Sequence, residues 1–166
     1  AAIREAVAAP SLVPSQAVLL PGTTVAHLID LPLLTDGDEG WGFYVAANGA
    51  SGGWPGALLY RSDDGGATYD ELVPLRDRTT IGTADDALGD AAPWWIDEGN
   101  AVTVTLLYAG EGLASATDAE LLAGANLALL GDEILQFRTA TLIGAGQYRL
   151  SGLLRGRKGT EDAIAG

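Results

Sequence analysis

Glycine and proline break this chain so often that little besides short extended segments fits between the breaks: 23 glycines and 7 prolines fall among 166 residues. The intervening runs are apolar or alternating and rich in Val, Leu, Ile, Thr and Tyr, which pack well on a pleated surface. Strands are expected near residues 17–20, 24–31, 42–47, 57–62, 69–74, 79–83, 101–107, 127–130, 133–142 and 147–155. One helix stands out, because Thr117 and Glu120 form a T-x-x-E capping box that satisfies two exposed backbone N–H groups. It should cover 118–123 and stop at Gly124, which tolerates the left-handed conformation found at helix ends. Residues 2–9 fit either a second short helix ended by Pro10 or a linker. The expected fold is mainly β: an antiparallel β-sandwich or barrel-like domain, or domains, with one or two short helices.

This length can bury a hydrophobic core. We expect a linker or short helix at 1–16, a β-rich subdomain at 17–90 and a β-rich C-terminal subdomain at 91–166. The division is placed at the proline-bearing break 91–93, after the acidic loop 85–90. No repeat of constant period is visible, which argues against a solenoid or a full propeller.

The chain has no cysteine, so disulfides, thiolate metal sites and a cysteine nucleophile are excluded. Methionine is absent too, even at position 1, and the expectation is a fragment of a longer polypeptide. The longest apolar runs, such as 127–130, fall far short of a membrane span. The formal charge of −13 would repel a nucleic-acid backbone. The acidic residues are spread over loops such as 36–39 and 85–90, as on a solvated surface.

The segment SDDGGATY at 62–69 fits an Asp-box hairpin through Ser62, Asp64, Gly66, Thr68 and Tyr69. In such a turn a carboxylate folds back onto nearby N–H groups, glycine supplies positive φ and the aromatic pins the returning strand. Asp boxes recur in sialidase-like propellers, but one copy without an arginine cluster points to a structural hairpin. Trp41, Phe43, Tyr44, Trp54, Trp94 and Trp95 lie among Gly, Asn and Asp. Their rings suit core or interface packing, or alternatively contact with a glycan or receptor. We carry Trp41, Trp54, Trp94 and Trp95 forward as candidate contacts.

No catalytic arrangement is legible. The single histidine, His27, lies in an apolar run with no serine-nucleophile motif nearby. Adjacent acids such as Asp63/Asp64 or Asp85/Asp86 are not placed at catalytic separation by anything in the sequence. Asp36, Asp38 and Glu39 could offer oxygens to calcium, yet the spacing of a full EF-hand loop is missing and a polar turn is the default. We therefore expect no catalytic, cofactor-binding or metal-binding residues.

From Thr117 the chain reads TDAELLAGANLALLGDEILQFRTATLIGAGQYRLSGLLRGRKGTEDAIAG. The turn words GDE (131–133) and GAG (144–146) each close a hairpin, and Ile134, Phe137, Tyr148, Leu150 and Leu153 offer apolar contacts. Arg155, Arg157 and Lys158 form a basic cluster in an acidic chain, suited to pairing with a neighbouring subunit, to pairing locally with Glu161, or to simple exposure. The ordered words ELLAGAN, LALLGDEILQF and YRLSGLLRGRKGTE resemble the C-terminal part of the large tail hub or host-specificity proteins of siphophages and gene transfer agents. The resemblance covers roughly the last 50 residues, and it implies a further strand beyond the GTE word.

It also implies a non-catalytic structural or interaction module at the tail tip of a virion, contributing to tail assembly or host adsorption. The implied partners are other tail proteins, with a host surface glycan or receptor as a further candidate; nucleic acid and membrane insertion are not expected. The alternative is a carbohydrate-binding module recognising host surface glycan.

Overall fold

A computed structural model of the chain describes residues 20–35, 37–38 and 42–164. Strands take up 43% of the described residues and helical turns 8%, so the expected mainly β class holds. Strands β1 (Thr24–Ile29) and β2 (Tyr44–Gly49) pair as one antiparallel hairpin, and β3 (Ala57–Arg61) and β4 (Asp70–Leu75) as a second. The remaining strands are β5 (Gly82–Ala84), β6 (Ile96–Leu106), β7 (Leu127–Leu130), β8 (Glu133–Gly144) and β9 (Gln147–Leu154). These form one antiparallel sheet in the order β5-β6-β9-β8-β7, which curls into a nearly closed, barrel-like form. Helix α1 (Asp118–Leu122) packs against β8.

The local signals act where the sequence puts them. Thr117 Oγ1 accepts from the Glu120 N–H while the Glu120 carboxylate accepts from the Thr117 N–H, and Gly124 follows at φ 99°. The GDE and GAG words close the β7–β8 and β8–β9 hairpins, with Gly131 and Gly146 at positive φ. Strand β6 differs from expectation by starting at Ile96. Asp97 Oδ1 accepts from the N–H groups of Gly99 and Asn100, so turn chemistry sits inside the strand, and the β6–β9 register shifts between Asp97 and Ala101. Residues 79–83 yield only the short β5. Of the expected strand 17–20, residues 17–19 lie outside the described residues and Leu20 is not in a strand; the N-terminal segment 1–16 also lies outside them.

The core lies on one side of the large sheet. Val102 and Leu106 of β6, Leu135 and Phe137 of β8, and Tyr148, Leu150 and Leu153 of β9 bury together with Leu88 from the preceding loop. In β9 the inward positions change phase between Leu150 and Leu153, across Gly152 at φ 63°. A side chain at Gly152 would crowd Arg138 as well as strain the backbone.

Candidate functional site

Of the basic cluster in the C-terminal stretch, Arg155 folds inward, Arg157 is half-buried and Lys158 stays exposed. Arg155 is fully buried, immediately after β9, and grips Glu133 at the start of β8 through two bonds, Nε to Oε1 at 2.6 Å and Nη2 to Oε2 at 2.7 Å. Its Nη1 donates to the Gly89 carbonyl at 2.9 Å and lies 3.5 Å from Asp97 Oδ2. Glu133 Oε1 also accepts from the Gly156 N–H at 3.0 Å. Gly156 has φ 58°, and a Cβ there would come within 2.9 Å of the Glu161 backbone, so Arg-Gly is the pair this corner requires. Such bidentate, charge-assisted bonding compensates the cost of burying both ions.

Arg157 bonds through Nε to Oε1 of the buried Gln136, whose amide donates to the carbonyls of Leu121 and Ala125 at 2.7 Å each. Thr160 Oγ1 accepts from the Ile134 N–H and donates to the Arg157 carbonyl. Lys158 is exposed at φ 59° in the same turn. The words ELLAGAN, GDEILQF and LLRGRKGT therefore meet in space, joined by Glu133, Gln136, Arg155 and Arg157. The expected partners for Arg155, a neighbouring subunit or Glu161, are replaced by Glu133 and Asp97 because its guanidinium has no exposed surface. Burial pushes the Asp97 carboxyl up, but the Asn100 side chain, the N–H groups of Asn100 and Gly99, and the Arg155 charge outweigh it and hold the group below the usual range.

The four tryptophans have different fates. Trp41 lies outside the described residues. Trp54 is buried, donates from Nε1 to Thr24 Oγ1 at 2.8 Å, and carries the Arg78 guanidinium 5.4 Å from its ring centre; Tyr108 flanks the same guanidinium at 4.4 Å. Arg78 also donates to Asn48 Oδ1 and to the carbonyls of Gly49 and Ser51. Buried Asn48 completes this bridge by donating to Thr79 O and Glu111 Oε1 at 2.9 Å each, which ties the β1–β2 hairpin to the loop after β6. Trp94 and Trp95, in contrast, are 81% and 75% exposed on the turn before β6.

The Asp-box positions come together as their chemistry demands. Asp64 Oδ1 accepts from the N–H groups of Ala67 and Thr68 and from Ser62 Oγ, Asp64 Oδ2 accepts from Thr68 Oγ1, and Ser62 Oγ accepts from the Gly66 N–H. The Thr68 hydroxyl and N–H, then Ser62, hold the Asp64 carboxyl far below the usual range. Tyr69 stays 64% exposed. Among the candidate calcium oxygens, Asp36 and Glu39 lie outside the described residues. Asp38 accepts from the Tyr44 hydroxyl and from the N–H groups of Leu34 and Thr35, as in a structural turn. His27 is exposed on β1, opposite Ala46.

Residues the sequence reading missed carry the polar interior: Glu133, Gln136, Asp97, Asn48, Arg78 and Glu111. A faint signal existed for two of them, since Glu133 and Gln136 bracket the apolar pair Ile134 and Leu135 inside a strand. Among the described residues no helix is long and apolar enough to cross a membrane, and no three His, Asp or Glu side chains gather as possible metal ligands.

Residues 79–166 match the family described as Rcc01698-like, C-terminal, which is more than half of the chain. The chain belongs to that family. No curated protein and no solved structure matches it. The matched span holds the entire five-stranded sheet, α1 and the Arg155 corner, while both two-stranded hairpins precede it.

Proposed function

We propose that this member of the Rcc01698-like C-terminal family is a non-catalytic structural and interaction module of a tail-tip hub protein, acting in tail assembly or host adsorption. The observation that carries the reading is the β3–β4 ribbon. Leu58, Tyr60, Tyr69, Leu72 and Val73 are all exposed along it, and its main contacts are between its own two strands. Strand pairs Leu58↔Pro74 and Leu59↔Val73 put apolar side chains on both faces, and Leu72 occupies the bulge where the register shifts. A two-stranded ribbon is marginal in water and gains from cover. The Asp box at its tip keeps it shaped for a partner such as another tail protein.

The resemblance of the C-terminal words to tail hub and host-specificity proteins supplies the setting. The buried Arg155 corner supports a structural rather than a catalytic role for those words, since its charged groups are consumed in holding strands together. The test is to replace Leu58 and Val73 by Lys in the whole hub protein. The purified chain should stay folded while incorporation into tails drops severalfold. Wild-type incorporation and adsorption by the doubly substituted protein would overturn it.

A further inference from the structure

Trp94 and Trp95 carry an inference that goes beyond the assembly reading and does not depend on it. Between Val73 and Leu122 they are the only exposed large apolar side chains. The turn that presents them is clamped at both ends. On one side the Gly89 carbonyl is held by Arg155 and the Asp90 carbonyl by Asn100 Nδ2 at 3.0 Å. On the other, Asp97 is held by Arg155, by the Gly99 and Asn100 N–H groups and by Asn100 Nδ2 at 2.8 Å. The buried ion pair thus anchors a rigid mount for two exposed indoles.

Two indoles can bury roughly 300–500 Å² between them, well under the ~800 Å² per partner of a stable protein interface. The residues that flank them are small or apolar, Ala91, Ala92, Pro93 and Ile96, while Asp90 is exposed before the turn and Glu98, exposed in β6, accepts from Arg138 Nη2 at 2.8 Å. We infer that Trp94 and Trp95 form a stacking platform for a neutral glycan. The apolar face of a pyranose ring covers an indole, and the exposed carboxylate of Asp90 accepts from its hydroxyl groups. The net charge of −13 selects against polyanionic polysaccharides.

The chain is titrated with cellotetraose and with chitotetraose, neutral oligomers of glucose and N-acetylglucosamine, and followed by tryptophan fluorescence and calorimetry. At least one should bind saturably, with Trp94→Ala and Trp95→Ala each weakening it roughly three- to tenfold, the scale of one lost aromatic contact. Trp94→Phe should retain part of the affinity. Melting curves of the alanine variants should match the parent, which separates lost binding from lost fold. Flat titrations with both sugars up to their solubility limits would overturn the inference, as would binding unchanged in the double alanine variant. Flat titrations together with loss of tail incorporation in that variant would reassign the pair to a protein contact. Glycan binding by a chain absent from tails would leave this inference standing and sink the assembly reading.

Discussion

The five-stranded sheet and the β3–β4 ribbon are both antiparallel and both pinned by a carboxylate, yet they stand differently against water. In the sheet, Glu133 reaches a guanidinium 22 residues away, and the bond is sealed beneath strands that share a common core. In the ribbon, Asp64 reaches no farther than four residues, and every bond it makes is exposed. Buried long-range pairing makes one region self-sufficient; local exposed pairing gives the other a shape without a core. The family match follows the same division, covering the sheet and beginning only after the ribbon.

The sharpest way to break this contrast is at the ion pair. Arg155→Ala leaves the Glu133 carboxylate buried without its partner and should cost about 3–5 kcal/mol, read by urea denaturation as a lower midpoint at unchanged slope. Next is the bridge between the N-terminal hairpin and the sheet. Asn48→Ala removes one of the three acceptors of Arg78 and leaves Glu111 Oε1 without its donor, and should cost about 1–3 kcal/mol in the same measurement.

Smaller still is the effect of acid on the ribbon. The Asp64 carboxyl is depressed in the folded state, so its contribution is fully present above the unfolded value of ~4 and is lost as pH falls through the lower folded value. Protection of the amides at 64–68, taken relative to their intrinsic exchange rate at each pH, should fall in acid before that of the sheet does, and Asp64→Ala should produce the same loss of protection at neutral pH. Last, Trp94→Ala and Trp95→Ala should leave stability within about 0.5 kcal/mol of the parent, because neither ring contributes to a core.

What could be read from the sequence is what folds locally. The Asp box, the Thr117–Glu120 capping box and the glycine turns at 131 and 146 each need only residues a few positions apart, and each is found in place. The polar interior was hidden because its partners are distant in the chain: Asn48 meets Glu111 across 63 positions and Arg155 meets Gly89 across 66. A cluster such as RGRK looks like surface charge until the fold supplies a buried acid, and nothing near Arg155 in the chain announces Glu133. The start of β6 was hidden for the opposite reason, since Asp97 and Asn100 carry turn chemistry into a strand. The tryptophans were indistinguishable as letters; the guanidinium of Arg78 buries Trp54, while the clamped turn leaves Trp94 and Trp95 in solvent.

Hydrogen–deuterium exchange of the purified chain, resolved by peptide, tests the central contrast most directly. Amides of β6, β8 and β9 should exchange through the slowest openings, while those of β3 and β4 should exchange orders of magnitude faster. Equal protection of the ribbon and the sheet in the isolated chain would contradict it.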